Sequence, residues 1–299
     1  MMENLINEYL NYLSSEDRSD KTISKYKPCL TEMMSYMNFK CINDIEKTNF
    51  IDLKTKWINV KKDEGLGNQS LNLRIAACKG FMTYLYGKRL ISVNVGRELK
   101  NYGIQTKEKI ADNDVIQILR TYVKEEYEKN KDFLTLRNYL IINFLLCTGL
   151  RNSELRSLNI DSVNPTTGEF TVIGKRKIKK EGILIPEVLD IYNLYLKERI
   201  AIDNKAKDDS LFLSKNYNRI SSKGLENIFN NICELNNLPH LTPHSMRHIC
   251  GSSLIDSGVS IEQTAKILGH TNISTCYKWY YHIDDDSRKQ AVNKNKIFA

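Results

Sequence analysis

From residue 2 onward apolar residues recur every three or four positions, and only around residues 170–185 does that period give way to short β-type runs. The pattern restricts the chain to a mainly α fold with a small antiparallel β-sheet. Leu5, Ile6, Tyr9 and Leu13 share one face of a first helix over about 2–13. A second follows Ser19-Asp20 and runs to about Met37. Pro28 sits inside it, where a kink or break is expected because proline brings no N–H to the helical ladder. A third helix is expected over about 46–63, and the Gly65-Leu66-Gly67-Asn68 turn releases a fourth over Gln69–Tyr86. These helices make up a first domain over residues 1–100.

The run from Lys100 to Lys109, KNYGIQTKEK, is polar, contains a glycine and has no apolar stripe, so residues 101–110 read as a linker and residues 111–299 as a second domain. That domain opens with helices over about 112–127 and 132–147 and a short one from Asn152. Phe170-Thr171-Val172-Ile173 and Ile183-Leu184-Ile185 flank the charged segment GKRKIKKEG, which predicts a hairpin whose second strand ends at Pro186. Helices resume over about 187–200, 221–236, 243–256, 260–268 and 272–282, followed by a polar helix or tail to Ala299.

Composition narrows the class. With 41% hydrophobic and 27% charged residues, the 299-residue chain has the make-up of a globular protein rather than a disordered one. No apolar stretch approaches the ~20 residues of a membrane span. The strongest candidate, Leu140–Cys147, is interrupted by Asn143, and Met1-Met2-Glu3-Asn4 has no basic region ahead of an apolar run. A cytoplasmic protein is expected. Seven cysteines, an odd set without a CxxC pair, read as buried small hydrophobes in a reducing compartment. The net charge is +8, and residues 1–110 hold 18 of the 44 Lys and Arg against 13 of the 36 Asp and Glu. Both parts are basic, which favours a polyanionic partner.

All five histidines, at 240, 244, 248, 270 and 282, fall in the last 60 residues. A zinc site is disfavoured, because HSMRH (244–248) lacks the glutamate of HExxH and sets Arg247 where a divalent cation would sit. His244 and Arg247 are instead i,i+3 neighbours on the helix opened by Thr242-Pro243, a fixed cation and a titratable donor on one face. Guanidinium offers a planar fork of donors and imidazole a further donor or proton, which suits a phosphate. In TGLRNSEL (148–155) Arg151 follows a Thr-Gly turn, with Glu154 placed i,i+3 to orient it. LGHTNIST (268–275) sets His270 after a glycine, and CYKWYYH follows.

Taken in order, TGLR-x-SEL at 148–155, VIGK at 172–175, H-x-x-RH at 244–248, LGH at 268–270 and Y-x-H at 280–282 resemble the tyrosine recombinases of the phage-integrase family, which includes the Xer-type recombinases and transposon integrases. The boxes cover about 135 residues, and the helical first 100 residues are similar in length and position to the family's core-binding domain. The resemblance implies a helical core-binding domain and a catalytic domain closing as a clamp on duplex DNA. It implies that Arg151 and Arg247 hold the non-bridging oxygens of the scissile phosphate, that His244 and His270 bond to it and handle protons, and that Lys175 protonates the leaving 5′ oxygen. Anchoring the hairpin on Pro186 instead of VIGK moves that lysine towards Lys177.

The nucleophile implied is Tyr280, ten residues after His270 and two before His282, with Tyr281 and Tyr277 as alternatives. Trp279 occupies the position nine residues on that many members use. Glu154, His248 and His282 are expected to support the reacting groups, and Arg176, Lys177, Lys179 and Lys180 to form a basic hairpin tip that is either merely solvated or in contact with DNA phosphates. His240 receives no role.

Attack on a phosphodiester pushes negative charge onto oxygens in a pentacovalent transition state, so preorganised cations lower the barrier and no metal is called for. A phenol, with a pKa near ~10 in water, needs the nearby positive field or a base to become nucleophilic. The phosphotyrosyl link stores the bond, so no ATP or other cofactor is expected. The partners implied are double-stranded DNA and three further copies of the chain, in a homo-tetramer on paired sites with exchange of C-terminal tails. Two other outcomes share the scaffold. A type IB topoisomerase-like enzyme would relax any supercoiled plasmid as a monomer, and a non-catalytic DNA-binding regulator would form no adduct. The full set of two Arg, two His, Lys and Tyr argues against the regulator, and recombination in integration, excision or resolution is the reading expected.

Overall fold

The computed structural model describes residues 2–16, 18–103, 113–174 and 179–269, which fall into two compact units divided between residues 108 and 109. The described residues are mostly helical, with one antiparallel sheet of two strands.

In the first unit α1 (Met2–Ser15), α2 (Asp20–Tyr36) and α6 (Asn68–Gly87) pack together, with α3 (Ile42–Glu46), α4 (Phe50–Asp52) and α5 (Val60–Asp63) between α2 and α6 in the chain. Leu30, Met33, Trp57, Phe81 and Leu85 are fully buried in its core. Of the kink or break expected at Pro28, the break does not occur: α2 runs through it. Proline removes one ladder bond, and burial of Cys29, Leu30, Met33 and Met34 just beyond it holds the helix together. The single helix expected over 46–63 is in fact divided: α3 ends at Glu46, and Asn49 caps a new start by accepting the Asp52 N–H at 2.9 Å. Leu53–Asn59 between α4 and α5 then takes a π-helical winding, with Leu53, Trp57 and Ile58 in the core.

One carboxylate organises the polar side of this core. Glu32 accepts from Arg74 Nε at 2.6 Å and Trp57 Nε1 at 3.2 Å, and pairs with Lys61 at 3.0 Å. Burial alone would raise its pKa, but these donors hold it below the ordinary carboxylate range.

The second unit is built around α8 (Phe133–Thr148), which follows α7 (Asn113–Asn130). Its residues Leu136, Leu140, Ile141, Ile142, Phe144 and Leu145 point all round the helix and are all buried. A helix apolar on every side must be surrounded, and α7, α10 (Pro186–Ala201) and α12 (Pro243–Asp256) supply the contacts. Asp132 starts α8 by accepting the N–H groups of Leu134 and Thr135, and Gly149, at φ +57°, stops it. The short α9 (Asn152–Ser157) follows at once. Side chains of Ser221, Thr242 and Ser260 cap α11 (Ser222–Leu235), α12 and α13 (Ile261–Leu268).

β1 (Glu169–Ile173) pairs with β2 (Lys179–Ile183) so that Phe170 faces Gly182 and Val172 faces Lys180. The second strand therefore lies earlier than the expected Ile183–Ile185 and is made of the charged KKEGI. The shift follows from packing: Phe170 and Val172 are buried, and the glycine opposite Phe170 leaves room for its ring. Leu184 is buried just past the strand and donates its N–H to Gly168 O at 2.9 Å. The helix expected over 272–282 and the tail lie outside the described residues. Among the described residues no helix is long and apolar enough to cross a membrane.

Gly149 is the position where this unit tolerates least. Its φ is positive, and a Cβ there would run into the Leu268 side chain and the Cys250 sulfur. Gly149→Ala is expected to cost about 2–4 kcal/mol, the sum of left-handed strain and overpacking. Urea unfolding of the variant measures it, and a loss below about 0.5 kcal/mol would show that the turn relaxes freely.

Candidate active site

The site grows out of two helix ends. α8 terminates at Thr148-Gly149 and α13 at Leu268-Gly269, and both glycines are left-handed, with φ +57° and +68°. Left-handed caps turn the chain sharply and leave the last carbonyls of each helix exposed to outside donors. The Leu268 side chain lies against the Gly149 backbone, so the two ends meet.

Two arginines hold the carbonyls. Arg247, on α12 and only 2% exposed, donates through Nη1 to Gly149 O at 2.7 Å. Arg151, the residue just before α9, donates through Nη2 to Gly269 O at 2.9 Å. Its Nη1 meets Glu154 Oε1 at 2.5 Å, while its backbone N–H donates to Glu154 Oε2 at 2.9 Å. Glu154 is 2% exposed. Burial would raise its carboxyl, and the Arg151 N–H groups together with the Lys180 charge bring it below the usual range, so it is an anion at neutral pH.

Lys180 is the third cation here. The sequence places it in a basic hairpin tip, either solvated or in contact with DNA phosphates, but the register turns it inward beside Val172, and its Nζ lies 3.4 Å from Thr148 O and 3.5 Å from Leu268 O. Burial is the main reason that its pKa is pushed down to about 8. The Glu154 carboxylate opposes the shift, and the Arg247 and Arg151 guanidiniums add to it. Alternation read backwards from Leu184 through Gly182 to Lys180 is the sequence signal that would have placed it. Lys179, by contrast, is exposed and pairs with exposed Glu181 at 2.6 Å.

α12 also carries His244 and His248, whose Nε2 atoms are 3.0 Å apart with rings edge to face. His244 is exposed and His248 buried. Burial, then the neighbouring His244 and Arg247, push His248 down to about 4, so it is neutral at pH 7. Arg151, Glu154, Arg247 and Lys180 thus converge on the two glycine caps, and His244 and His248 sit on the helix that supplies Arg247. Lys175, Arg176, Lys177, His270, Tyr277, Tyr280, Tyr281 and His282 lie outside the described residues. A cleft of about 720 Å³ lined by Tyr122, Arg137, Arg219 and Asn231 contains none of the site residues. Among the described residues no group of His, Cys, Asp and Glu could hold a metal ion.

Residues 107–287 match the phage integrase family, and residues 6–89 match the phage integrase N-terminal SAM-like domain. The chain is 29% identical over 299 residues to the tyrosine recombinase XerC of Histophilus somni, covering 98% of this chain and 97% of that protein. It is 25% identical over 295 residues to the tyrosine recombinase XerD of Oceanobacillus iheyensis, covering 95% of each. Among solved structures, its fold is similar to the Tn1549 transposon integrase in complex with circular intermediate DNA, at TM-score 0.75 and 19% identity over 96% of this chain and 98% of that one. It is also similar to XerH site-specific recombinase bound to a palindromic difH substrate, at TM-score 0.74 and 18% identity, covering 91% and 79%.

Neutral, buried His248 has a consequence for stability. Its folded pKa of about 4 lies below its ordinary 6.5, so the unfolded chain binds more protons between those values. The stability this contributes is complete above the ordinary value and is lost as pH falls towards about 4. Between about pH 7.5 and pH 5 the wild type should lose on the order of 2 kcal/mol more than His248→Asn, read from urea midpoints. Parallel losses in the two proteins would mean that His248 is protonated in the fold.

Proposed function

The chain belongs to the phage integrase family and is a tyrosine-type site-specific recombinase that cleaves and rejoins DNA, and from that premise we propose that Tyr280 forms its 3′-phosphotyrosyl intermediate. The observation that carries the residue assignments is the charge of the cluster: Arg151, Arg247 and Lys180 surround two helix ends with Glu154 as the buried counter-charge. Such a convergence of fixed N–H donors and positive charge suits an anion of the charge of a phosphodiester.

In this reading Arg151 and Arg247 bind the non-bridging oxygens, with His244 and His270 as further donors. The Tyr280 oxygen attacks phosphorus, and the new O–P bond forms as the bond to the 5′ oxygen breaks. The phenolic proton passes to a neighbouring base, and Lys175 gives a proton to the departing 5′ oxygen. Rejoining is the reverse: a 5′-hydroxyl attacks, loses its proton to Lys175 and displaces the tyrosine. Bond energy is kept throughout, so the steps need no nucleotide cofactor. Glu154 acts by fixing Arg151, and His248 and His282 by supporting the histidine and tyrosine they adjoin. Arg176, Lys177 and Lys179 of the hairpin contact DNA phosphates, a contribution that salt weakens.

The working form is a homo-tetramer on two double-stranded DNA sites in the cytoplasm, with C-terminal tails exchanged between protomers. Its outcome is integration, excision or resolution. Basic composition supplies affinity for phosphate, and helices in the major groove supply site choice.

A duplex nicked beside the cleavage position traps the covalent intermediate, because the short 5′ fragment diffuses away. Wild type should yield a protein–DNA adduct on it, Tyr280→Phe none, and Tyr277→Phe and Tyr281→Phe an adduct. Arg151→Ala and Arg247→Ala should each slow adduct formation by about 10²–10³-fold, the scale of losing a transition-state charge donor. An adduct formed by Tyr280→Phe would move the nucleophile elsewhere.

A further inference from the structure

The proposed chemistry uses Arg151, Lys175, His244, Arg247, His270 and Tyr280, and it gives Lys180 no task beyond its charge. The side chain nevertheless lies at the centre of the cluster. It leaves the inward face of β2 opposite Val172. Its stem runs beside Gly269, where a Cβ would lie 3.6 Å from Lys180 Cδ. Its ammonium then faces the Thr148 and Leu268 carbonyls, which belong to the last residues of α8 and α13.

A helix C-terminus carries about half a negative charge, and here two of them meet. An ammonium between them is attracted to both ends and donates to carbonyls that the helices cannot satisfy themselves. Arg151 comes three residues after Thr148 in the chain, and His270 two after Leu268. The groups that face Lys180 are the Glu154 carboxylate, the Arg151 and Arg247 guanidiniums and the Cys250 thiol.

We infer that Lys180 is a positioning residue that staples the hairpin to the C-terminal ends of α8 and α13 and so fixes the turns that follow both helices, Arg151 among them. The inference rests on the recombinase reading for its consequence in catalysis, but the staple itself is a property of the free protein. Phosphate binding demands that several donors converge within fractions of an ångström, and misplacement by about 1 Å can cost on the order of 100-fold. One charged side chain that spans three segments answers that demand.

The test compares Lys180→Met and Lys180→Arg with wild type. In free protein, amide exchange should quicken in peptides covering 145–151 and 264–269 in Lys180→Met, with residues 20–87 unchanged. On the nicked duplex, Lys180→Met should form adduct about 30- to 100-fold more slowly while binding DNA within about twofold of wild type. Lys180→Arg keeps the charge and should come within about fivefold of wild type. As pH rises through about 8, exchange of those same peptides in free wild type, corrected for the intrinsic rate, should quicken relative to Lys180→Arg, because the lysine loses its proton there and the arginine does not.

A substrate with sulfur in place of the bridging 5′ oxygen separates positioning from proton donation, since a thiolate leaves without a proton. It should not rescue Lys180→Met. Rescue would overturn the inference and make Lys180 the proton donor. Wild-type exchange or wild-type cleavage by Lys180→Met would overturn it as well. Should Lys180→Met not fold, the pH comparison with Lys180→Arg decides, and parallel profiles would overturn the staple. Failure of the wild type to form any adduct would instead defeat the recombinase reading, while the exchange measurement still judges the staple.

Discussion

Helices α8 and α13 end against each other, each through a left-handed glycine, and the carbonyls set loose there are what the two arginines grip. Arg247 takes Gly149 O and Arg151 takes Gly269 O. Each guanidinium is thus anchored to backbone, and its position follows from where two rigid helices stop. The close approach of Leu268 to Gly149 couples the two stops. A small shift of either helix would move both cations, which is why the packing of the fully buried α8 is part of the chemistry.

The described part of the cluster is rich in positive charge. Among the described residues three cations gather round one buried carboxylate, and holding charge away from water is costly. Evidence of that cost lies in Lys180, which burial and the two guanidiniums drive down to about 8. Helix-end carbonyls offset part of it, and a phosphodiester would offset the remainder. The site therefore trades some stability of the free protein for a field that is already oriented when the anion arrives.

Helix starts were the most legible part of the sequence, because caps are local. Thr242-Pro243 and the serines before α11 and α13 act within one turn and need no partner elsewhere. The contact of Arg151 with Glu154 was legible for the same reason, being an i,i+3 pair at a helix start. What escaped was set by distant packing. Pro28 leaves a kink and a break equally open until the residues buried beyond it are counted. KKEGI reads as a loop until Phe170 and Val172 impose the register, and only then does Lys180 turn inward. The grip of Arg247 on Gly149 joins residues 98 apart in the chain, so no spacing rule could have shown it.

Holding an arginine by its backbone partners does not exhaust it. A guanidinium has five N–H donors in one plane. Arg151 spends Nη1 on Glu154 and Nη2 on Gly269, neither bond engages Nε, and 39% of the side chain remains exposed. Glu154 and the Gly269 carbonyl therefore orient the fork and leave donors on its open edge for an incoming oxygen. A lysine in the same place would have three donors on a rotating head, so it could bond to the same two acceptors without presenting a fixed plane to the phosphate. The requirement for arginine at 151 thus comes from having to face the protein and the ligand at once, whereas Lys180, which faces two carbonyls of the protein, sits where a compact charge suffices.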